Sequence, residues 1–385
     1  MMKTKSFDYI ILGGGCAALS LASNISDKNI NNLTFLILEK RKKYTDDRSW
    51  CFWSEKKNTL DKLISYSWDN FSFSLKKKNV MHRSKKYNYK YVRSIDFYNS
   101  ALEKIKKAPN IDLYLGELIK KIYKKKNNYL VYTQKRIYVT KYIIDTRPRK
   151  NIYLKEPFLF QSFLGYELEV KDHDSKFDTA KVMDDMRLIK GIFVFDYVLP
   201  FGKNKILIEV TTFSEKEMSI YSLQAMLNNT LRKYRFEKYK IIRKEYGVIP
   251  MGFIDNNLIS KKKNYFLAGT LGGAVRPSSG YAFLRIQEWA MKCTKLLQTK
   301  NKIISHQKEK LIEKKLDMIF LRTLINNPQH VPNIFYIFLK RVSTDTLIRF
   351  MSGNASIIDY LKVIFSMPKR IFLKSLYFKR KKNAK

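Results

Sequence analysis

Apolar runs separated by turn residues occupy the first forty positions of the chain. Residues 7–12 read FDYIIL, a β-branched run typical of a buried strand, and three glycines follow it. Residues 16–24 have the alanine and leucine content of a helix, and residues 33–38 (LTFLIL) predict a second apolar strand. This order predicts a βαβ unit near the beginning of the chain.

Strand patterns fill the middle of the chain. Alternation of apolar and polar residues, or a short apolar run, predicts strands at residues 129–139, 142–145, 161–170, 192–199 and 205–213. The last two are joined by a turn at residues 200–204, and residues 219–234 then predict a helix. The middle is therefore expected to form a strand-rich sheet.

A second glycine cluster at residues 269–273 precedes the helical last part of the chain. It follows an apolar strand, and after Gly280 a helix is predicted to run to about Gln298. Residues 311–376 predict successive helices that are broken at Pro328, Pro332, Gly353 and Pro368.

The glycines of the βαβ unit have the spacing of a dinucleotide-binding fingerprint, Gly13-x-Gly15-x-x-Ala18. Gly13 permits the tight turn, Gly15 allows a pyrophosphate to approach the backbone, and the small Ala18 lets the helix pack on the strand. Glu39, at the end of the second strand, is placed to accept hydrogen bonds from a ribose. The alternative is a glycine-rich turn without a ligand, and the fingerprint does not distinguish FAD from NAD.

The late glycines form a second candidate site for an anion or a flavin edge. A strand leads into a glycine-rich turn there, and the unpaired N–H groups of a helix N-terminus follow it. The candidate cofactor-binding residues of this turn are Gly269, Gly272, Gly273 and Gly280.

The charge of the chain favours an anionic partner. Lys and Arg number 75 against 34 Asp and Glu, a formal net charge of +41, while 45% of residues are hydrophobic and supply a large core. Nucleic acid or an anionic membrane would fit, and an AT-biased genome would also produce such lysine-rich segments. The apolar runs are too short to span a bilayer, and the dispersed Cys and His residues suggest no disulfide framework and no metal site.

Seven short segments, in order along the chain, resemble those of bacterial lycopene β-cyclases. They are DRSWCFW at residues 47–53, YIIDTRP at 142–148, FLGYE at 163–167, MD at 183–184, IEVT at 208–211, IPM at 249–251, and GTLGG with PSSGY at 269–273 and 277–281. The chain departs from the family pattern at Ala18, usually glycine, at Asp185, usually Phe, and at Val210, commonly aromatic. The resemblance covers about the first three quarters of the chain.

The resemblance implies an α/β, two-domain flavoprotein. The FAD-binding domain is expected at residues 1–150 and 245–300, the strand-rich substrate domain at 151–244, and a helical region with possible membrane contact at 301–385. The family uses reduced FAD that is not consumed, with NAD(P)H as the reductant. A peripheral position on the cytoplasmic side of a membrane is expected.

The resemblance also implies conversion of the acyclic ψ-ends of lycopene, or of a related acyclic carotenoid, into β-ionone rings without net redox change. Such a reaction needs a water-shielded acid, and Glu209, in the apolar strand 205–210, matches the essential glutamate of the family. Asp184 and Glu167 are secondary candidates for proton relay or positioning. Trp50, Phe52 and Trp53 are expected to form an aromatic cluster in the wall of the carotenoid tunnel, or an ordinary part of the core.

The sequence leaves two alternative functions and two possible environments for the C-terminal segments. Another flavoprotein, a monooxygenase or a prenyl reductase, is the nearest alternative, although Thr270 stands where hydroxylases often carry Asp. A nucleic-acid-binding protein is disfavoured because the basic residues are spread along the chain without a recognition motif. Segments 334–341 and 371–382, with aromatic and basic residues interleaved, are expected either on an anionic leaflet or as a solvated basic face.

Overall fold

The computed structural model describes residues 4–148, 154–171, 178–234, 238–255, 262–306 and 309–377. The strands are β1 (Thr4–Leu12), β2 (Phe35–Glu39), β3 (Ser49–Glu55), β4 (Tyr66–Trp68), β5 (Asn70–Leu75), β6 (Lys78–Arg83), β7 (Tyr87–Arg93), β8 (Ile111–Leu115), β9 (Ile119–Lys125), β10 (Asn128–Thr133), β11 (Ile137–Asp145), β12 (Leu154–Val170), β13 (Ala180–Ile189), β14 (Ile192–Pro200), β15 (Lys205–Ser214), β16 (Tyr239–Ile254) and β17 (Tyr265–Leu267). The α-helices are α1 (Cys16–Asp27), α2 (Ser94–Lys107), α3 (Ile220–Tyr234), α4 (Phe283–Lys300), α5 (Leu311–Asn326), α6 (Val331–Arg341), α7 (Thr344–Met351), α8 (Ile357–Ser366) and α9 (Lys369–Tyr377). Short 3-10 turns lie at Asp61–Leu63, Gly269–Gly272 and Pro328–His330.

The first sheet contains the N-terminal βαβ unit. Its strand order is β8-β2-β1-β11-β10-β9, with β17 also paired to β11. Strands β8, β2, β1, β11 and β17 run parallel, and β10 and β9 complete the sheet as antiparallel strands. Side chains alternate across β2: Phe35 and Ile37 pack with α1, α2 and α4, while Leu36 and Leu38 pack on the opposite face. This arrangement places the turn after β1 at the carboxyl end of the parallel strands, where ligands bind in such sheets.

The second sheet is mostly antiparallel and has the order β16-β12-β15-β14-β13-β5-β6. One of its faces packs on α3 through Leu223 and Leu227. The opposite face lies over a core that it shares with the small sheet β3-β7-β4 and with the C-terminal helices. The second sheet therefore separates α3 from the interior of the molecule.

The C-terminal helices belong largely to this shared core. Ile334, Phe338 and Leu339 of α6 are buried in it, so the segment 334–341 does not offer these side chains to a membrane. Among the described residues, the helices are too short or too polar to cross a bilayer.

Two details of the predicted elements are wrong. Residues 129–139 form two strands, because the Thr133 hydroxyl accepts hydrogen bonds from the N–H groups of Lys135 and Arg136 and closes a turn between them. Pro332 does not break a helix, since it lies in the first turn of α6, where no intrahelical N–H donor is required. The break comes instead at Val342 and Ser343, between α6 and α7.

Sheet membership differs from the predicted domain boundaries in two places. Strands β5 and β6 lie within the predicted FAD-binding segment, yet β5 pairs with β13 and extends the second sheet. Strand β16 crosses the boundary expected at residue 245 and stays in the second sheet along its length. The local pattern of a strand shows which face is apolar, but it does not show which sheet the strand will join. The α/β class itself is confirmed.

Candidate active site

A cavity of about 1030 Å³ runs between the first sheet, the second sheet and the C-terminal helices. It is as large as the largest common ligand pockets, which reach about 1,000 Å³. One end is lined by the glycine turn after β1, the middle by β12, β15 and β16, and the other end by α5 to α9. The cavity therefore joins the predicted cofactor end to a long apolar compartment.

The glycine turn after β1 has the geometry of a phosphate cradle. Gly13 adopts a φ of +88°, and its N–H donates to the carbonyl oxygen of Leu38 at 2.8 Å. A Cβ at Gly15 would meet no atom within 4 Å, so the backbone faces open space at the N-terminus of α1. Both glycines line the cavity. Ala18 is fully buried in the core beneath α1, as expected of a residue that lets the helix pack closely.

Glu39 lines the cavity beside this turn, and backbone hydrogen bonds fix the position of its carboxylate. Its Oε2 accepts a hydrogen bond from the Gly14 N–H at 2.6 Å, and its Oε1 accepts one from the backbone N–H of Arg41 at 2.9 Å. Burial alone would raise the pKa of the Glu39 carboxyl, but the hydrogen bonds from Arg41 and Gly14 outweigh it and lower the pKa. The carboxylate therefore fixes the shape of the turn, in addition to facing the place where a ribose is predicted.

The late glycine turn meets the same cavity through only some of its predicted residues. Gly269 and Gly280 line it, whereas Gly272 and Gly273 are not among its lining residues. The Gly269 N–H donates to Nε2 of His306 at 2.9 Å, and burial lowers the pKa of His306 to about 3, which keeps its ring neutral. A Cβ at Gly272 would lie 2.5 Å from the Leu267 carbonyl oxygen, so that glycine serves close packing of the turn.

Three residues on neighbouring strands form a row across the second sheet. Gly165 of β12 is in register with Glu209 of β15 on one side and with Glu245 of β16 on the other. A Cβ at Gly165 would lie 2.9 Å from the Cβ of Glu209, closer than side chains approach each other. Glycine in a strand interior often marks such a close approach. The missing side chain leaves space between two carboxyl groups that both line the cavity.

Glu209 has the surroundings of a carboxylic acid rather than of a carboxylate. It is buried in an apolar strand, and its Oε1 accepts a hydrogen bond from the Thr211 hydroxyl at 2.7 Å. Burial, together with repulsion from Glu245, raises the pKa of Glu209 to about 8. At neutral pH the group is therefore mostly protonated and shielded from water.

Glu245 was not predicted from the sequence, and the structure makes it the second carboxylate of the site. Its Oε2 is 3.0 Å from Nη1 of Arg243 and 2.9 Å from the Ser49 hydroxyl. Nε of Arg243 in turn donates to Oε2 of Glu167 at 3.0 Å. Arg243 also donates to the Tyr91 hydroxyl at 2.7 Å. Glu167 is thus one of several partners of Arg243 and does not line the cavity. The strand glycine at 165 was the available sequence signal, but its partner on β16 follows only from the register.

Asp184 lies on the other face of the second sheet, away from Glu209. Its carboxylate accepts hydrogen bonds from the Ser74 and Tyr234 hydroxyls, both at 2.6 Å, and Tyr234 belongs to α3. The ladder of β13 is irregular at this point, and Asp185 has a φ of +49°. Met183 lines the cavity instead. The structure therefore does not bring Asp184 together with the other predicted catalytic residues.

The aromatic residues of β3 do not form one cluster, because alternate side chains of a strand point to opposite faces. Trp50 and Phe52 both stack on Phe283 at the start of α4, with ring centroids 5.2 Å apart in each pair. Trp53 points the other way and packs against Tyr281, 5.7 Å between centroids. Trp50 and Trp53 line the large cavity, and Phe52 does not.

Aromatic rings surround the part of the cavity that contains Glu209. Tyr197 is in register with Glu209 on β14, and its hydroxyl bonds to that of Tyr89. Trp53, Phe195 and Tyr281 line the same space. Ring faces of this kind attract positive charge. The arrangement can thus deliver a proton into an apolar space and stabilise a cation that forms there.

Comparison with known proteins agrees with this geometry. The sequence model of a family described as lycopene cyclase protein matches residues 8–377. Among curated proteins, none matches the chain significantly.

Several solved structures share the fold at low sequence identity. A geranylgeranyl bacteriochlorophyll reductase-like protein from Thermoplasma acidophilum is 15% identical, with a TM-score of 0.61 over 97% of this chain and 99% of that one. A flavoprotein/dehydrogenase from Cytophaga hutchinsonii is 12% identical, with a TM-score of 0.57 over 97% and 99%. A halogenase solved with phloroglucinol and FAD is 12% identical, with a TM-score of 0.53 over 89% and 80%. The fold is therefore that of the flavoproteins, as predicted.

Proposed function

Because the chain belongs to the lycopene cyclase family, we propose that it closes acyclic ψ-ends of lycopene, or of a related acyclic carotenoid, into β-ionone rings. The observation that carries this proposal is the buried Glu209 carboxyl, held in its acid form beside a long apolar cavity. A hydrocarbon substrate offers the enzyme no polar group to bind, so a largely apolar cavity in which one carboxyl group is held in its acid form suits it.

The reaction adds one proton to the substrate and removes another. Protonation of the terminal alkene produces a tertiary carbocation, a neighbouring alkene attacks it and closes the six-membered ring, and loss of a ring proton restores an alkene. The product is an isomer of the substrate, so the reaction consumes no electrons. The protein must therefore supply an acid, stabilise the cation and accept a proton.

Glu209 fits the role of the acid. Since the Thr211 hydroxyl donates to Oε1, Oε2 is the oxygen left to carry the acidic proton. The apolar surroundings weaken hydration of the carboxylate and hold the proton in place until the alkene arrives.

The rings and the second carboxylate fit the role of stabilising the cation. Trp53, Tyr197 and Tyr281 offer electron-rich faces along the cavity wall. Glu245, whose charge is anchored by Arg243, disfavours ionisation of Glu209 and favours positive charge in the space beside Gly165. After protonation of the substrate, Glu209 and Glu245 both face this space as bases able to accept the ring proton.

The cavity also fits FAD at its other end. Gly13, Gly15 and the N-terminus of α1 would hold the pyrophosphate, Glu39 would face the ribose, and Gly269 lies along the same wall. The open space where a Cβ of Gly15 would stand is the observation that supports this fit. Reduced FAD, formed with NAD(P)H as the reductant, would supply negative charge that stabilises the cationic transition state without being consumed.

Pigment analysis in a lycopene-accumulating bacterium tests the proposed function. The unaltered chain should produce cyclic carotenoids, Glu209→Gln should leave lycopene unchanged, and Asp184→Asn, on the opposite face of the sheet, should keep most of the activity. Comparable amounts of folded protein in the three strains make the comparison valid. Unchanged lycopene with the unaltered, folded protein would disprove the function, and β-carotene from the Gln variant would exclude Glu209 as the acid.

A further inference from the structure

The short helix α8 exposes most of its large apolar side chains, although two of its polar residues are buried. Five large apolar residues are between 40% and 75% exposed: Ile357, Ile358, Leu361, Ile364 and Phe365. Their spacing places them on one side of the helix. The opposite side buries Asp359 and Ser366 together with Tyr360 and Val363. In a helix that covers a soluble core the apolar face points inward, whereas α8 turns its widest apolar face outward.

The inward position of Asp359 shows that this orientation is fixed by specific bonds. Its carboxylate accepts hydrogen bonds from Arg349 at 2.6 and 2.9 Å, and it forms a capping box with Ser356 at the start of the helix. These interactions lower the pKa of Asp359, with the hydrogen bond from Arg349 as the largest cause. A rotation of α8 that buried Ile357 and Ile358 would expose this ion pair and break its bonds.

The large cavity ends at the same helix. Val363 and Ile364 of α8, Met367 in the connection, and Phe372 and Leu373 of α9 line it. Two of these residues, Ile364 and Leu373, are 40% and 55% exposed and so belong both to the cavity wall and to the outer surface. The apolar surface of α8 and α9 is therefore continuous with the compartment that leads to Glu209.

The charges around this surface are positive. Lys362, Lys369, Arg370 and Lys374 are exposed on α8 and α9. Asp359 is the only acidic residue of the sequence after Asp345, and it is buried. Basic side chains beside an exposed apolar helix face suit a surface that is apolar inside and anionic at its rim, which describes a bilayer containing anionic lipid.

We propose that α8 and α9 dock on an anionic bilayer, so that the end of the cavity opens among the lipid chains. The exposed face of α8, which we call the α8 face (Ile357, Ile358, Leu361, Ile364 and Phe365), enters the boundary between headgroups and acyl chains, while the lysines and Arg370 contact lipid phosphates. The identity of the molecule that then passes into the cavity rests on the proposed function. The docking itself does not.

Vesicle sedimentation with the full-length protein tests the docking. Neutral phosphatidylcholine vesicles are compared with vesicles that contain phosphatidylglycerol, at low and high salt. The protein should bind the anionic vesicles more strongly, and high salt should weaken that binding because it screens surface charges. Ile358→Ser combined with Phe365→Ser should weaken binding about tenfold or more, since each change removes an exposed apolar group and leaves the core untouched.

Matched variants distinguish binding through this surface from nonspecific binding by other exposed apolar residues or by other lysines. Ile220→Ser with Tyr221→Ser removes two exposed apolar residues from α3, on the far side of the second sheet, and should leave binding unchanged. Lys362→Gln with Lys369→Gln should lower binding to anionic vesicles only, whereas Lys120→Gln with Lys125→Gln on β9 should have little effect.

The outcomes distinguish the docking from the proposed function. Equal vesicle binding by the Ile358 and Phe365 variant and the unaltered protein would overturn the docking, whatever the enzyme does. The docking would also be overturned if the unaltered protein forms a dimer through the α8 face. Such a dimer would be shown by its dissociation in the variant with Ile358→Ser and Phe365→Ser. If the docking is correct, the variant should retain activity on detergent-dispersed substrate and lose activity on substrate held in vesicles. If neither the unaltered protein nor its variants act on the substrate in detergent or in vesicles, the proposed function is contradicted. The result of the vesicle-binding experiment would still stand.

Discussion

Replacement of Glu245 by Gln tests whether the second carboxylate controls the acidity of Glu209. The two residues are two strands apart, with Gly165 between them, and repulsion from Glu245 is one cause of the raised pKa of Glu209. The Gln side chain keeps the size of the glutamate and can still accept hydrogen bonds from Arg243 and Ser49. The variant is therefore expected to fold normally while losing one negative charge.

The size of the effect follows from the spacing of the strands. Two spacings of about 4.8 Å separate the backbones, and Coulomb's law with an effective dielectric constant of about 20 gives a repulsion of about 2 kcal/mol. This corresponds to a decrease of about one pKa unit from the value of about 8. The positive charge of Arg243, no longer balanced by Glu245, acts in the same direction.

The assay is the pH dependence of kcat/KM with detergent-dispersed substrate. Because the acid must be protonated to act, activity should fall as pH rises through the pKa of Glu209, and in Glu245→Gln this fall should occur about one unit lower. At a pH above both pKa values, the protonated fraction of Glu209 should be about tenfold lower in Glu245→Gln than in the unaltered protein. Glu167→Gln is the matched control, since it also contacts Arg243 but does not line the cavity. An unchanged alkaline limb in the folded Glu245→Gln protein would refute the reasoning.

Three further changes have defined outcomes. Gly15→Val should abolish FAD retention, measured by absorbance of the purified protein. Its melting temperature should stay close to that of the unaltered protein freed of FAD, because a Cβ there meets no protein atom within 4 Å. A variant that keeps stoichiometric FAD would contradict the placement. Gly165→Ala should retain FAD but lose most cyclisation activity and about 1–3 kcal/mol of stability, since its Cβ would displace Glu209. Normal turnover by this variant would show that the space between Glu209 and Glu245 is not needed. For Glu209 itself, the free energy of unfolding should decrease as pH rises from the ordinary pKa of a glutamate towards the raised pKa of Glu209, because the folded state binds the proton more tightly. Denaturation series should show this dependence disappear in Glu209→Gln, and its persistence there would assign it to other groups.

The sequence by itself determined the features that depend on short stretches of chain. The apolar run of β1, the glycines after it and the helix beyond predict a βαβ unit because each is a local preference of the backbone. Glu209 was identified in the same way, as an acidic residue inside an apolar strand with a family match. The α/β class and the family agree with these predictions.

Only the tertiary structure decided which distant residues meet. Glu245 faces Glu209 because β12 lies between β15 and β16 in one register, and no local pattern specifies that register. Asp184 faces α3 because β13 is irregular beside it, and a shift of one position moves a strand side chain to the other face of its sheet.

The orientation of α8 was decided in the same way. Its periodicity predicts an amphipathic helix with one apolar face, but it does not say whether that face points into the protein. The ion pair between Asp359 and Arg349 lies on the inner side and leaves Ile357, Ile358 and Phe365 outside. Periodicity reports which residues share a face of one element, whereas the surface opposite that face comes from the packing of the whole chain.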